Sequence, residues 1–347
     1  MLSLAEQGPN QIQQFSAALA GRLIELPIRI KGGANNQIHK ITANGTSYAI
    51  KLYINGIGDK RDRLGTEFRA LQFLSDNGVA SVPTPLAIDR DNNLALFQWI
   101  EGSQIGHVTD SDITAAIDFV RTLHDLRKVD GAANLPPASE ACFSPAEIVQ
   151  QIVSRLETLQ EVAREEPRLE VLLGERIYPV IQKAISLAQE FCEKSGQAFE
   201  TEIAPEYRTL SPSDFGFHNA RRDLNGRIVF VDFEYFGWEE PAKLGAEFVI
   251  HPGMTLSEDQ KYHFIAGVDA IYRDDPGYHD RVRALFPLYA LRWCMIALNE
   301  FLPDRWSRRL LAHETLDRAV TLDEQLNKAY RLLDIAEKGI EGFPYGS

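Results

Sequence analysis

The chain has 347 residues, 44% of them apolar and 24% charged, and carries a net charge of −13. That length supports more than one core, and the composition is that of an ordinary globular protein, which excludes a disordered, collagen-like or membrane-embedded chain. Charge is uneven, +2 over residues 1–100 and −15 over the remainder, a balance that argues against a nucleic-acid partner and would draw a cationic small molecule to the acidic part.

The first residues, MLSLAEQGPNQIQQF, hold acidic and amide groups where a signal peptide needs a basic start and an apolar run, so a cytoplasmic location is expected. QIQQFSAALAGRLI follows as a leading helix over residues 10–24. The texture then changes. LPIRIKGGANN, QIHKITANG and TSYAIKLYI are short β-branched or aromatic segments bounded by Gly and Asn, and Asn44-Gly45 is a strong hairpin signal. DKRDRLGTEFRALQFLSDNGV spaces Leu64, Phe68, Leu71 and Leu74 on one helical face and closes at Asn77-Gly78. TPLAIDRDNNLALFQWIEG reads as another hairpin. Residues 1–101 are therefore expected to form a five-stranded antiparallel sheet with one inserted helix.

Beyond Gly102 the period is helical, in SDITAAIDFVRTLHDL, SPAEIVQQIVSRLETLQEVA and RIYPVIQKAISLAQEFCEKSG, and again to about residue 338. The most apolar stretch, ALFPLYALRWCMIALNEFL, contains Arg292 and ends in Asn299-Glu300, which predicts a buried helix and no membrane span. Cys142, Cys192 and Cys294 stand far apart with no CxxC or Cys/His cluster, against a disulfide framework or zinc site. Residues 102–347 are expected to form a second, mostly helical lobe.

Several residues stand out from this background. Lys51 is the one charge in the strand YAIKLYI and shares a face with Ala49 and Tyr53. Alone it would be a lysine reaching from an edge strand into solvent. Gly32 and Gly33, between the first two strands, allow a backbone to approach a phosphate. Glu67, on the following helix, could pair with Lys51, although a surface glutamate is the commoner outcome. SPSDFGFHN supplies Asp214 and Asn219 from one turn-rich loop, and VDFEY brings Asp232 to the end of an apolar run. Each of these could be an ordinary cap or turn residue. Together they are hard oxygen ligands of the kind that hold Mg²⁺ with phosphate oxygens. The order is Gly-rich turn, strand Lys, helix Glu, apolar hinge, Asp-x4-Asn and strand-ending Asp, which is the part list of kinase phosphoryl transfer.

By this motif order over residues 27–300, the chain resembles the aminoglycoside phosphotransferase and choline kinase group of protein-kinase-like small-molecule kinases. SPSDFGFHNA looks like the group's catalytic loop, IVFVDFEYFGWEEPAKLGAEF like its metal-binding loop with the acidic segment that follows, and LHDL at 123–126 like the helix leading into the large lobe. The resemblance implies an α+β bilobal protein-kinase-like fold and ATP-dependent phosphorylation of a hydroxyl on a small molecule. Asp214 would orient the acceptor hydroxyl or accept its proton. Asn219 and Asp232 would bind Mg²⁺, and Lys51, held by Glu67, would contact the α- and β-phosphates of ATP. Phe97 would back the adenine, while the carbonyl of Gln98 and the amide of Ile100 bond its edge.

Two departures accompany the resemblance. Pro212 stands where the group usually has His, and this residue alone supports the alternative of a nucleotide-binding pseudokinase. Glu234 stands where protein kinases have Gly, as a weaker second metal ligand or an acceptor behind the first. His218 reads as structural. Glu234, Glu239, Glu240 and Glu247 cluster after the metal loop, favouring an amine-bearing acceptor such as an amino sugar or amino alcohol. A neutral sugar remains open, because such residues equally cap helices.

Overall fold

The computed structural model describes Ile12 and residues 27–30, 36–54, 61–312 and 317–346. The expected leading helix over 10–24, apart from Ile12, and the Gly32-Gly33 turn lie outside the described residues. By packing, the chain divides into two compact units. One comprises residues 1–105, 219–236 and 308–314, and the other residues 106–218, 237–307 and 315–347. The division expected near Gly102 thus differs in two respects: residues 219–236, which hold Asn219 and Asp232, and residues 308–314 pack with the N-terminal unit.

In the first unit, β1 (Ile28–Ile30), β2 (Asn36–Ala43), β3 (Thr46–Tyr53), β4 (Pro85–Asp89) and β5 (Leu94–Gln98) form the expected antiparallel five-stranded sheet, in the order β1-β2-β3-β5-β4. Asn44 and Gly45, with φ of 52° and 76°, make the left-handed pair that a tight hairpin needs. One helix, α1 (Arg63–Asp76), enters between β3 and β4. Asp62 starts it by accepting the Gly65 N–H at 2.9 Å, and the Asn77 amide ends it on the Phe73 carbonyl at 2.8 Å. Strand alternation sorts the two sheet faces. Ile41, Ile50, Leu94 and Leu96 pack with Ile12 on one. Lys51, Ala95 and Phe97 lie on the other, where the Phe97 ring sits 6.4 Å from Phe68 of α1.

Among the described residues there are five further strands, each of three or four residues. These are β6 (Gly102–Gln104), β7 (Thr209–Ser211), β8 (Ala220–Asp223), β9 (Ile228–Phe230) and β10 (Gly237–Glu239). The first unit pairs β6-β8-β9, and the second pairs β7 with β10. Only β9 was visible in the sequence, as the apolar run before Asp232. A three-residue strand shows too little alternation to declare itself.

The second unit is built from helices. They are α2 (Asp110–Leu126), α3 (Pro145–Ala163), α4 (Pro167–Val171), α5 (Tyr178–Ser195), α6 (Pro241–Ile250), α7 (Glu258–Ile271), α8 (Tyr278–Ala297), α9 (Pro303–Ala312) and α10 (Arg318–Glu341). Residues 308–314, at the end of α9 and just beyond, belong to the first unit. The cap of α2 is Thr109, in a reciprocal box with Asp112. Helix α8 is the centre of the unit and packs on α3, α5, α6 and α10. Its Phe286, Leu288, Tyr289 and Leu291 are fully buried, each worth about 1.5–3 kcal/mol of hydrophobic stabilisation. No helix among the described residues is long and apolar enough to cross a membrane.

Candidate active site

In the first unit, the β3 lysine sits at the centre of a carboxylate cluster. Lys51 Nζ lies 2.6 Å from Glu67 Oε2, 2.5 Å from Asp232 Oδ1 and 3.7 Å from Glu234 Oε2. Glu67 is fully engaged: Oε2 also accepts the Tyr53 hydroxyl at 2.6 Å, and Oε1 accepts the Phe233 N–H at 3.2 Å. Three residues 16, 181 and 183 positions from Lys51 therefore meet on one ammonium; the order of motifs contains Glu67 and Asp232, and the approach of Glu234 is an addition to it. Burial alone would lower the Lys51 pKa, but Asp232, Glu67 and Glu234 outweigh it and hold the ammonium firmly charged.

Two partners of this cluster were missed in the sequence. Asn36, at the start of β2, donates its side-chain amide to Glu234 Oε2, and Arg63 Nη1 lies 3.6 Å from Glu234 Oε1. Glu234 is only 2% exposed. Burial works against its charge, and Lys51 followed by Arg63 win, leaving its pKa below the ordinary value. These contacts occupy Glu234 from one side, and with Glu67 and Asp232 it also lies close enough to share a metal ion. No local signal in NNQI pointed to Glu234, because the two residues are 198 positions apart.

Asp232 is the member open to solvent, with 36% of its side chain exposed. Burial of its surroundings pushes its pKa up to about 7, opposed by Lys51 and assisted by Glu234 and Glu67. Three carboxylates face Lys51 and Arg63, so one negative charge is in excess. Such a set favours a hard divalent cation, and its donors are oxygens. Asn219 is next to it in the fold: its backbone carbonyl accepts the Val231 N–H at 2.9 Å, immediately before Asp232. The carboxylate oxygens of Asp232, Glu67 and Glu234 lie close enough together to fit a hard divalent cation.

The hinge residues lie where β5 ends. Phe97 is buried at 5% exposure on the Lys51 face of the sheet. Gln98 turns its side chain to Thr84, accepting from the backbone N–H at 3.3 Å and the hydroxyl at 3.2 Å. Ile100 is half-buried in the segment between β5 and β6.

In the second unit, Asp214 follows β7. Its Oδ1 lies 3.0 Å from His218 Nε2 and 3.1 Å from His251 Nε2. Pro212 offers no side-chain donor, whereas both imidazoles reach Asp214. His251 was missed in the sequence, and His218 was given no contact with Asp214. Burial raises the Asp214 pKa, but the hydrogen bonds from His218 and His251 prevail and hold the carboxyl well below its usual range. Asp214, His218 and His251 are also close enough to be considered as metal ligands. One feature speaks against it: His251 Nδ1 accepts the Gly253 N–H at 3.0 Å, which puts the proton of the neutral ring, and no free lone pair, on Nε2.

Backbone strain coincides with both loops. Among described non-glycine residues with left-handed φ, Asn44 and Asn93 occupy hairpin turns, and the other two are Ser213 (φ 67°) and Asp232 (φ 68°). Such conformations cost about 1–3 kcal/mol and persist where surrounding contacts over-determine them.

The acidic segment after the metal loop is a correction. Glu239 is 0% exposed and bonds Lys243 at 2.5 Å. Glu240 caps α6 through the Ala242 N–H at 3.0 Å and pairs with Arg281 at 3.3 Å. Glu247 bonds Arg292 at 2.7 Å. With Glu234 engaged as above, none of the four is an exposed anion, so the case they made for a cationic acceptor falls. The expected clustering is real, but its charge is neutralised inside the fold.

Comparisons with known proteins agree with this architecture. No curated protein matches the sequence. Among solved structures, the spectinomycin phosphotransferase APH(9)-Ia, in complex with ADP and spectinomycin, superposes with a TM-score of 0.63 at 14% identity, over 95% of this chain and 98% of that one. The choline kinase LicA from Streptococcus pneumoniae gives 0.60 at 15%, over 94% and 99%. ADP-bound aminoglycoside phosphotransferase APH(2'')-Ib gives 0.58 at 14%, over 94% and 98%. At such identities these likenesses establish the kinase-like fold. The model of the phosphotransferase enzyme family, APH, matches residues 28–285, and on that match, spanning most of the chain, this protein belongs to the phosphotransferase enzyme family.

Proposed function

We propose that this phosphotransferase moves the terminal phosphoryl group of ATP to a hydroxyl of a small molecule, with Asp214 at the acceptor and the Lys51 cluster at the nucleotide. One observation carries the reading: Lys51, Glu67 and Asp232 meet in a cluster that has one negative charge in excess and a solvent-facing carboxylate. In this reading Lys51, oriented by Glu67, contacts the α- and β-phosphates. Asp232 and Asn219 hold Mg²⁺, which when bound neutralises charge on the phosphates. Phe97 backs the adenine, and the Gln98 carbonyl and Ile100 amide bond its edge.

Asp214 orients the acceptor hydroxyl and takes its proton. Phosphoryl transfer goes through a loose transition state, so position and charge stabilisation supply most of the rate. The fold is shared with choline kinases and with phosphotransferases bound to spectinomycin or gentamicin, which supports an alcohol-bearing small molecule as the acceptor. Amino alcohols, amino sugars and neutral sugars all belong in the test.

The experiment is ADP release from Mg-ATP across a panel containing choline, spectinomycin, gentamicin and simple sugars, with Asp214→Asn as the control. The variant should keep its melting temperature and Mg-ATP affinity while turnover falls by about 10²-fold or more, the scale of a lost general base. Full turnover in a well-folded Asp214→Asn protein overturns the reading. So does an absence of Mg-ATP binding by the parent.

A further inference from the structure

Asp214 does not stand alone on its loop. Helix α6 ends at His251, and residues 251–254, His-Pro-Gly-Met, fold into a turn closed by the Met254 N–H on the His251 carbonyl at 3.1 Å. This turn grips the Asp214 loop at several points. His251 Nε2 reaches Asp214 Oδ1 at 3.1 Å, and Met254 Sδ accepts the Phe217 N–H at 3.0 Å. The His251 ring lies flat on His218 at 3.8 Å and meets Trp293 edge-on at 4.3 Å. The loop and turn approach closely, so that a side chain at either of two glycines would crowd its neighbours. A Cβ on Gly216 would fall 2.7 Å from Met254 Sδ and 2.8 Å from His218 Nδ1. One on Gly253 would fall 3.0 Å from the His251 ring and 3.3 Å from His218 Cβ.

The direction of the His251 hydrogen bond follows from its other nitrogen. Nδ1 accepts the Gly253 N–H, so in the neutral ring Nε2 carries the hydrogen and donates it to Asp214. Burial lowers the His251 pKa in spite of the adjacent Asp214, in keeping with a neutral donor. The His251 side chain is 9% exposed and wedged between His218 and Trp293, so its ring has little freedom to leave this geometry. A donor fixed in this way limits rotation of the Asp214 carboxyl and favours its ionised form. The same hydrogen bond makes Asp214 a weaker base. In a loose transition state the attacking hydroxyl gains little charge early, so orientation outweighs basicity.

We propose that His251 is a positioning residue for Asp214: the His-Pro-Gly-Met turn presents its Nε2–H to Oδ1 and sets the rotamer from which Asp214 engages the acceptor. This rests on the function proposed above, so Asp214→Asn is carried as a separate reference.

Two measurements on the full-length protein test it. Histidine side-chain ¹⁵N NMR, with His251 assigned by the signal lost in His251→Gln, should show the Nε2–H tautomer. A Nδ1–H tautomer overturns the proposal whether or not an acceptor is known. Steady-state ADP release with Mg-ATP, using the most active acceptor of the panel or water if none is active, should show kcat reduced about tenfold to a hundredfold in His251→Leu. The KM for ATP should stay within about twofold. His251→Gln, whose amide keeps an N–H at similar reach, should recover most of that loss. Equal losses in Leu and Gln variants, or undiminished kcat in the Leu variant, refute the positioning role. If Asp214→Asn abolishes turnover while His251→Leu retains it, this inference alone fails. If Asp214→Asn retains full turnover, the functional reading fails first.

Discussion

Replacing Arg292 by Met should destabilise the helical unit strongly, and the size follows from its surroundings. The guanidinium is 3% exposed and bonds Glu247 at 2.7 Å, Gln151 at 2.7 Å and Glu140 at 3.0 Å. Glu140 also holds Arg155 at 2.6 Å, and Lys243 bridges Glu239 at 2.5 Å and Glu247 at 3.4 Å. Three carboxylates and three cations thus balance in a mostly buried network. Methionine fills much of the arginine volume but leaves Glu247 with one distant cation and Gln151 without its donor. Removing one partner of a buried pair costs roughly 3–5 kcal/mol. For a unit of this size, about 2–4 °C of melting temperature accompanies each kcal/mol, so the melt should fall by roughly 10 °C. Circular dichroism or calorimetric melting reads this directly. Adding Glu247→Gln to Arg292→Met should recover a good part of the loss, because the surplus charge is then removed. A drop under about 3 °C in the single variant, or no recovery in the double, would refute the argument. Glu247→Gln alone should leave the KM for the acceptor unchanged. A cation-binding role for Glu247 requires that KM to rise.

Two other outcomes are expected. Burial raises the Glu140 pKa from its ordinary 4.5, but Arg155 and Arg292 push it down further, to about 2. The folded state therefore releases this proton more readily than the unfolded chain. Its stabilisation is present above pH 4.5 and is lost as pH falls towards 2, by up to about 3 kcal/mol. Urea midpoints measured against pH should show a shallower acid limb in Glu140→Gln, and an unchanged limb would contradict the assignment. In titration calorimetry, Asp232→Ala should abolish Mg²⁺-dependent nucleotide binding, while Asn219→Ala weakens it less, since water can replace a neutral oxygen. Parent-like Mg-ATP binding by both variants would reject these residues as the metal ligands.

What the sequence determined by itself was mainly local in origin. Alternation and the Asn44-Gly45 turn specify the hairpins of the N-terminal sheet, and the spacing of Leu64, Phe68, Leu71 and Leu74 specifies α1, because backbone preference and side-chain period act over a few residues. The cluster of Lys51, Glu67 and Asp232 was legible for a different reason: the order of motifs matches a family whose fold brings them together. Tertiary structure alone decided which groups complete the sites. Asn36 and Arg63 reach Glu234, and His251 reaches Asp214 from the end of α6, 37 positions downstream. It also decided the fate of the acidic segment. Glu239, Glu240 and Glu247 look alike in sequence as surface anions or helix caps, and only packing brings Lys243, Arg281 and Arg292 against them. A buried carboxylate needs a partner, and where that partner comes from depends on how the helices pack. Helical period places Arg292 on a buried helix, but it does not say which glutamate that helix will meet.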